Sequence, residues 1–243
     1  MQDHYEGCKM EYEITMEDKN ATFVVLPAYN EATRIQPVIE AIAEKGYKMV
    51  IVNDGSTDNT LDVILESKKK YPDNVHVFSL LINRGVGVAT QTGFDAASRF
   101  NPKYIVSMDS DGQHSADDLD EVIKPLVAGE AKAVIGVRPL KDMPLSRNIA
   151  NSIMNLLTRI FYRVNVSDSQ TGFRAITLDA LNKISINATG YLISSEFIRE
   201  INDNNIPFAE VPIETIYTPE TQAKGTNVSE AFKILLQMIK PQF

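Results

Sequence analysis

Short runs of apolar, often β-branched residues alternate from residue 22 onward with segments in which apolar positions recur every three or four residues. The first pattern predicts strands and the second predicts helices. Helices are predicted to end near Gly46, Lys70, Phe100 and Ala128. They separate five predicted strands, which are Thr22–Leu26, Lys48–Val52, Val75–Leu81, Tyr104–Met108 and Ala133–Val137. This alternation is typical of an α/β fold with a mostly parallel central sheet flanked by helices.

The pattern changes after residue 138, where two amphipathic helices are predicted. The first covers Ser146–Arg163 and carries apolar side chains at helical spacing, namely Ile149, Ile153, Leu156, Leu157, Ile160 and Phe161. Its other face holds Asn151, Asn155, Arg159 and Arg163. The second helix is predicted over Val228–Lys240, before Pro241. The apolar face of the first helix either packs in the core, as in most such helices, or meets a membrane surface.

Length and charge narrow the classes of protein that fit. The 243 residues, 44% of them hydrophobic, suffice for one domain at 21–243, which we expect to follow an acidic, loosely held tail at 1–20. The net charge of −8 argues against general affinity for nucleic acid. Cys8 is the single cysteine and the N-terminus lacks a signal-peptide pattern, so we expect a cytoplasmic protein. No stretch approaches the ~18 apolar residues of a membrane span, so any membrane contact is expected to be peripheral.

Two aspartates directly after the fourth predicted strand are the strongest chemical signal. In Asp109-Ser110-Asp111 the carboxylates are one residue apart in a turn, where both can face one hard cation such as Mg²⁺ or Mn²⁺. Such an ion could bridge a diphosphate and neutralise a leaving group. Aspartate also fills ordinary turns, so the short pattern alone leaves both interpretations open. Its position favours a metal site, because ligands bind at the carboxyl ends of the strands in open parallel sheets.

The loops after the first two strands suggest a nucleoside pocket. They read Pro27-Ala28-Tyr29-Asn30-Glu31 and Asn53-Asp54-Gly55-Ser56-Thr57-Asp58. The Tyr29 ring can stack on a base, and a carboxylate can accept hydrogen bonds from a base or a ribose. Helix capping by the serine, threonine and aspartate side chains is the simpler explanation, and the two are compatible.

A glycine-containing loop follows the third strand and leads into a helix. In Asn83-Arg84-Gly85-Val86-Gly87 the backbone N–H groups could approach a phosphate, and we include Arg84 among the candidate donor-binding residues. The loop lacks the Lys-Ser/Thr ending of a P-loop and the third glycine of the dinucleotide fingerprint. Glycines that simply form a turn are therefore an equally good interpretation.

The four loops together, in this order after successive strands, resemble the family 2 glycosyltransferases with the GT-A fold. The motifs are Pro-Ala-Tyr-Asn-Glu, Val-Asn-Asp-Gly-Ser-Thr-Asp, Asn-Arg-Gly-x-Gly and Asp-Ser-Asp-Gly-Gln-His. Within the family the chain looks most like the polyprenyl-phosphate sugar synthases, the dolichol-phosphate mannose or glucose synthase group. The resemblance runs from about residue 23 to the end. It implies one GT-A (Rossmann-like) domain with a nucleotide-sugar-binding half at 21–137 and an acceptor half at 138–243.

The resemblance also implies roles for individual residues. The nucleotide pocket would contain Pro27, Tyr29, Glu31 and Asp54, and the metal and diphosphate would be held by Asp109, Asp111 and Gln113. In the second half, motifs of the subgroup are matched by Gly136-Val137-Arg138, by Arg147 and by the stretch from Asp168 to Arg174. The arginines of these motifs meet the acceptor phosphate and the donor diphosphate in the relatives. The candidate catalytic residues are Asp111, Arg138, Arg147, Asp168 and Arg174.

The acceptor half is locally basic. Residues 138 to 174 contain six arginines and lysines against two aspartates, in a chain whose net charge is −8. A basic patch beside an amphipathic helix suits an anionic lipid head group, with the apolar face available to the membrane. Together with the motifs, this favours peripheral contact with the cytoplasmic face of a membrane over a core role for that helix.

The resemblance implies inverting transfer of a hexose from a UDP- or GDP-hexose to a polyprenyl (dolichyl) phosphate, dependent on Mg²⁺ or Mn²⁺. The catalytic-base motif of saccharide-extending relatives is not evident, and Asp168 and Glu196 are the nearest carboxylates. A phosphate acceptor needs no general base, since it is already a nucleophile. One alternative is extension of a cell-surface glycan on a saccharide hydroxyl, with one of these carboxylates as base. Another is a non-catalytic nucleotide-sugar-binding protein, because a fold alone does not fix a function.

Overall fold

The computed structural model describes residues 12–139, 143, 145–186 and 192–216. In these residues seven strands form one sheet in the order β3-β2-β1-β4-β6-β5-β7. The strands are β1 Thr22–Ala28, β2 Lys48–Asp54, β3 Val75–Leu80, β4 Tyr104–Ser107, β5 Ala133–Val137, β6 Arg174–Thr177 and β7 Phe208–Pro212. The helix predicted for Val228–Lys240 lies outside the described residues. All five predicted strands are confirmed, with bounds that differ by at most two residues.

The sheet is mostly parallel, as predicted, with one reversed strand. Strands β1 to β4 pair in parallel, and so do β5 and β7. Strand β6 is antiparallel to both of its neighbours, β4 and β5. The sequence pattern did not predict β6 or β7. The first is only four residues long and begins with a buried arginine, and the second is half-exposed, contains Glu210 and ends on Pro212.

Helices cover both faces of the sheet, as the alternation predicts. They are α1 Met16–Asn20, α2 Ile35–Glu44, α3 Thr60–Lys70, α4 Val86–Ser98, α5 Leu119–Val127, α6 Leu145–Tyr162, α7 Leu178–Leu181 and α8 Leu192–Asp203. Successive side chains of a strand point to opposite faces, so Val24 and Leu26 of β1 join α2 and α5 in one apolar core. Phe23 and Val25 join α4 and α8 in the other. Each fully buried aliphatic side chain stabilises the fold by about 1.5–3 kcal/mol relative to an exposed one.

Close packing of α4 on β1 depends on the absence of a side chain at Gly93. A Cβ atom there would lie 2.2 Å from Cγ1 of Val25. The helix can therefore approach the sheet closely and direct its N-terminus, at Val86, toward the carboxyl edge of the strands.

The end of the predicted N-terminal tail is ordered. Thr15 caps α1, since its hydroxyl accepts from the Asp18 backbone N–H and the Asp18 carboxylate accepts in return from the Thr15 N–H. Lys19 then forms an ion pair with Asp120 of α5, with 3.0 Å between the charged atoms. Helix α1 is thereby tied to the domain that follows it.

Candidate functional site

A cavity of about 690 Å³ opens at the carboxyl ends of the parallel strands. Its wall combines the loops after β1, β2, β3 and β4 with residues of α4, α6, β6 and α8. Ten predicted site residues line it: Pro27, Tyr29, Glu31, Asp54, Asp109, Asp111, Gln113, Arg138, Arg147 and Arg174. Two others, Arg84 and Asp168, are not among the described residues that line the cavity. The structure thus brings candidates from both halves of the chain to one place, and their roles remain predictions.

The Asp109 carboxylate forms part of the cavity wall between His114 and Gly172. His114 Nε2 lies 3.2 Å from Asp109 Oδ2, and 44% of the Asp109 side chain is accessible because it faces the open cavity. Burial by the surrounding protein acts to raise the pKa of Asp109. The hydrogen bond and charge of His114, with the charges of Arg138 and Arg174, outweigh that effect and lower the pKa below its usual value. Asp109 is therefore an anion at neutral pH.

The carboxylate of Asp109 lies where a side chain at position 172 would be. A Cβ atom on Gly172 would be 2.4 Å from Asp109 Oδ1 and 2.6 Å from Oδ2. Any residue larger than glycine would therefore displace the carboxylate.

Asp111, Gln113 and Arg147 form a chain of hydrogen bonds across the cavity. The Gln113 backbone N–H donates to Asp111 Oδ1 at 3.0 Å, and the Gln113 side-chain amide donates to the other oxygen of the same carboxylate. Arg147 Nη1 donates to Gln113 Oε1 at 3.1 Å. The oxygen of Gln113 that was predicted to bind the metal is therefore engaged by Arg147 in this structure.

The donor atoms present fit a divalent ion that is shared with a substrate. Asp109 and Asp111 offer two carboxylates to one cavity, and hard oxygen donors of this kind suit Mg²⁺ and Mn²⁺. Within the described part of the chain, no group of three or more His, Cys, Asp or Glu side chains could hold a metal by itself. Mg²⁺ commonly takes one or two protein carboxylates and completes its shell with water and substrate phosphates. The pair therefore fits an ion that is completed by a bound diphosphate.

Hydrogen bonds between the first two loops fix the side of the cavity where a nucleoside was predicted. The Glu31 backbone N–H donates to Thr60 Oγ1 at 2.8 Å, and the Glu31 carboxylate pairs with Arg34 at 2.7 Å. The backbone of Asn30 is left-handed, with φ of 54°, and its side chain accepts from the Thr57 N–H. Tyr29, 41% exposed, is left accessible at the cavity wall, where an aromatic face can stack on a base.

Asp54 joins the second loop to the third. Its buried carboxylate accepts hydrogen bonds from the backbone N–H groups of Arg84 and Gly85, at 2.7 and 2.8 Å. Gly85 has φ of 89°, which L-residues rarely adopt. Asp54 therefore holds the backbone of the glycine loop in place, while the Arg84 side chain is exposed outside the cavity.

Three arginines from separate elements give the cavity a cationic side. Arg138 follows β5, Arg147 lies on α6 and Arg174 begins β6. Because β6 is antiparallel to β4, Arg174 lies opposite Ser107 at the strand end that precedes Asp109. Burial lowers the pKa of Arg174 to about 10, so its guanidinium keeps its charge at neutral pH.

The two carboxylates that were candidates for a general base are both engaged in ion pairs. Asp168 is completely buried and accepts two hydrogen bonds from the Arg138 guanidinium. Glu196 on α8 is nearly buried and accepts from Arg199 at 3.0 Å. Neither Asp168 nor Glu196 is among the described residues that line the cavity.

Apart from Arg147 on α6, sequence reasoning missed the residues that α6 and α8 contribute to the cavity wall. Among them are Asn151, Met154, Ser194 and Phe197. Asn151 was assigned to the polar face of its helix, opposite the apolar stripe, and only 4% of its surface is exposed. The signal that could have found it is its position one helical turn after Arg147, which places both side chains on one face.

A cavity at the carboxyl edge of an α/β sheet, lined by two aspartates and three arginines, is the arrangement that the resemblance to GT-A glycosyltransferases implies. Residues 23–186 match the family described as glycosyl transferase family 2. The chain therefore belongs to this family and is a glycosyltransferase.

Curated relatives match over nearly their whole length. The chain is 38% identical over 239 residues to an uncharacterised protein of Methanocaldococcus jannaschii, and the match covers 95% of this chain and 96% of the relative. It is 35% identical over 236 residues to the UDP-N-acetylglucosamine–dolichyl-phosphate N-acetylglucosaminyltransferase of Methanococcus voltae, with 89% and 94% covered. It is 29% identical over 234 residues to the polyprenol monophosphomannose synthase of Mycolicibacterium smegmatis, with 90% and 88% covered.

Solved structures support the same fold. Glucosyl-3-phosphoglycerate synthase from Mycobacterium tuberculosis, crystallised with Mg²⁺ and UDP, matches with a TM-score of 0.70 at 20% identity. The match covers 94% of this chain and 85% of that one. At this identity the likeness establishes the fold and nothing finer.

Proposed function

We propose that this glycosyltransferase moves a sugar from a nucleoside-diphosphate sugar to a polyprenyl phosphate, with the help of a divalent cation. The observation that carries the proposal is that Asp109, Asp111 and three arginines line one cavity, whose described wall includes neither candidate base. The names of the relatives from Methanococcus voltae and Mycolicibacterium smegmatis, a dolichyl-phosphate transferase and a polyprenol monophosphomannose synthase, support the same acceptor class.

The donor half of the cavity would bind the nucleotide. Tyr29 can stack on the base, and Glu31 with Asp54 can accept hydrogen bonds from base or ribose. Asp109 and Asp111 would hold Mg²⁺ or Mn²⁺, which stabilises the charge of a departing diphosphate when bound.

The arginines would bind the acceptor phosphate and help to neutralise the charge of the diphosphate. Guanidinium groups match phosphate oxygens with paired N–H donors, and they do so most strongly where water is excluded. The lipid phosphate is itself a nucleophile, so it needs no proton acceptor on the protein. The protein would therefore catalyse the reaction by positioning the two substrates and neutralising their charge. The lipid phosphate would attack the anomeric carbon from the face opposite the departing diphosphate, which inverts the configuration of that carbon.

Helix α6 offers the surface that a lipid acceptor requires. Most of its predicted apolar stripe lies outside the core, since Ile149, Ile153, Leu156, Ile160 and Phe161 are all 41–60% exposed. Leu157 is the exception, because it is partly buried against Met154. The other side of the same helix lines the cavity at Arg147, Asn151 and Met154. A helix with one face in the active site and an apolar face outward suits peripheral binding to a membrane that holds the acceptor. None of the described helices is long and apolar enough to span a bilayer.

The test is to incubate the protein with Mn²⁺, polyprenyl phosphate and labelled UDP-N-acetylglucosamine, UDP-glucose or GDP-mannose, and to count label in the organic phase. We expect EDTA-sensitive label with one of the donors, which also identifies that donor. Donor binding without organic-phase label, together with label on an added oligosaccharide, would instead assign a saccharide acceptor. Donor binding with no transfer to either acceptor would assign a binding protein.

A further inference from the structure

Asn151 is a buried amide for which the described residues provide no hydrogen-bond partner. Its side chain is on the inner face of α6, 4% of its surface is exposed, and neither Oδ1 nor Nδ2 is hydrogen-bonded by any of these residues. An unsatisfied buried polar group opposes folding, and native proteins pair nearly all of them. Because Asn151 also lines the cavity, a bound ligand can supply both missing partners.

Apolar residues of α6 and α8, among them Met154 and Phe197, line the same cavity as Asn151. Arg147 and Ser194 of these helices line it as well, yet no described residue hydrogen-bonds the amide. A ligand that meets it must present both polar groups and a surface that tolerates aliphatic and aromatic contact.

We propose that Asn151 hydrogen-bonds hydroxyl groups, or another donor–acceptor pair, on the sugar that the donor carries, and so helps to select that sugar. A sugar hydroxyl both donates and accepts, so adjacent substituents satisfy Nδ2 and Oδ1 together. A phosphate could accept from Nδ2 only, and its oxygens would repel Oδ1. Arg138, Arg147 and Arg174 line the same cavity, and the proposed function assigns phosphate binding to them.

The inference rests on the donor half of the proposed function and does not depend on the acceptor. A sugar-binding role and a purely structural role predict different ligand affinities for the variant Asn151→Leu. Leucine has a similar volume and removes the unsatisfied amide, so in both cases the ligand-free protein should melt at or above the wild-type temperature. In a sugar-binding role the affinity for the sugar nucleotide should also fall about tenfold, because both hydrogen bonds of the amide to the sugar are lost.

Thr158 provides a matched control on the same helix. Its side chain is completely buried, and no residue that the structure describes hydrogen-bonds its hydroxyl. Thr158 is not among the described residues that line the cavity. Thr158→Val should therefore change thermal stability in the same direction as Asn151→Leu. It should leave the affinity for every nucleotide ligand unchanged.

The experiment is calorimetric titration in Mn²⁺, without acceptor, of UDP-N-acetylglucosamine, UDP-glucose and UDP, and of GDP-mannose and GDP. We expect Asn151→Leu to weaken the preferred sugar nucleotide about tenfold and to leave the matching nucleoside diphosphate unchanged. Equal affinity of wild type and variant for the sugar nucleotide would overturn the proposal. The proposal would also be overturned if Asn151→Leu weakened binding of the nucleoside diphosphate as much as binding of the sugar nucleotide. A wild-type protein that binds no sugar nucleotide more tightly than the matching diphosphate would overturn it as well.

A second variant tests the proposal even if Asn151→Leu does not fold correctly. Asn151→Ser keeps one hydroxyl that can donate and accept, so its affinity for the sugar nucleotide should lie between those of wild type and Asn151→Leu. Because no acceptor is present, these titrations can succeed even if the lipid-phosphate assay fails. Failure of the titrations leaves that assay's result unaffected.

Discussion

The guanidinium of Arg138 and the carboxylate of Asp168 form a two-point ion pair, with Nε 2.6 Å from Oδ2 and Nη2 2.9 Å from Oδ1. The Asp168 side chain is completely buried, whereas the Arg138 side chain is 17% exposed and lines the cavity. The aspartate therefore fixes the direction of an arginine in the cavity wall. Such a pair is pre-organised, so little side-chain entropy would be lost if Arg138 binds a phosphate as proposed.

We predict that Asp168→Asn lowers kcat by roughly a hundredfold, because a displaced catalytic group can cost that much. Loss of one partner of a buried pair should also lower the free energy of unfolding by about 3 kcal/mol. The measurement is kcat alongside calorimetric UDP binding, which should remain near wild type because Arg138 itself stays in the cavity. A variant with unchanged kcat but reduced stability would show that the pair serves the fold alone.

We predict that Asp111→Asn abolishes the enhancement of UDP binding by Mn²⁺. The substitution removes a negative charge from the proposed metal site while it preserves the size of the side chain. Titration of UDP with and without Mn²⁺ measures the effect. Asp117→Asn is the control, because Asp117 lies close in sequence on an exposed turn and pairs with Lys45. Mn²⁺-enhanced binding by Asp111→Asn equal to that of wild type would remove this aspartate from the metal site.

Gly172→Ala should act like a metal-site mutation although it adds only one methyl group. The new Cβ would overlap the Asp109 carboxylate, which must then leave its position. We expect the Mn²⁺ dependence of donor binding to fall to the level of Asp109→Asn, with a melting temperature within a few degrees of wild type. Wild-type metal dependence in Gly172→Ala would mean that the carboxylate position seen here is not the functional one.

The double variant Leu156→Ser/Ile160→Ser should reduce binding to anionic lipid vesicles at least about tenfold. Both side chains are more than half exposed on α6, and burial of each in the membrane interface would contribute favourable transfer free energy. Vesicle co-sedimentation measures the effect. Leu65→Ser on α3, a comparably exposed leucine away from the cavity, is the matched control. Equal losses in both variants, or none in either, would contradict a specific role of the α6 stripe.

The elements predicted most accurately are those whose pattern is local. Strands β1 to β5 are apolar runs, and helix α6 has a regular period, so its predicted bounds differ from the observed ones by one residue at each end. The four loops after the strands converge because parallel strands share one carboxyl edge. The residues predicted from them, apart from Arg84, meet in the cavity for that reason.

Features that depend on distant contacts could not be predicted from the pattern. The pattern places Asn151 on the polar face of its helix, opposite the isoleucines, and only the packing of α6 shows that its amide is buried at the cavity wall. Arg174 begins a strand too short to be recognised by alternation. The pairing of Asp168 with Arg138 joins residues 30 positions apart, which no local motif specifies.

The charge of the site depends on the register of one short strand. Arg174 pairs with Ser107 on one side of β6 and with Ile135 on the other. Its side chain shares a sheet face with Ile176, while Phe173 and Ala175 pack on the opposite face. A slip of one residue would turn every side chain of β6 over, replacing the arginine beside Asp109 by an apolar group. Insertions or deletions between Val164 and Arg174 that shift this pairing should therefore inactivate the enzyme even if the sheet still forms.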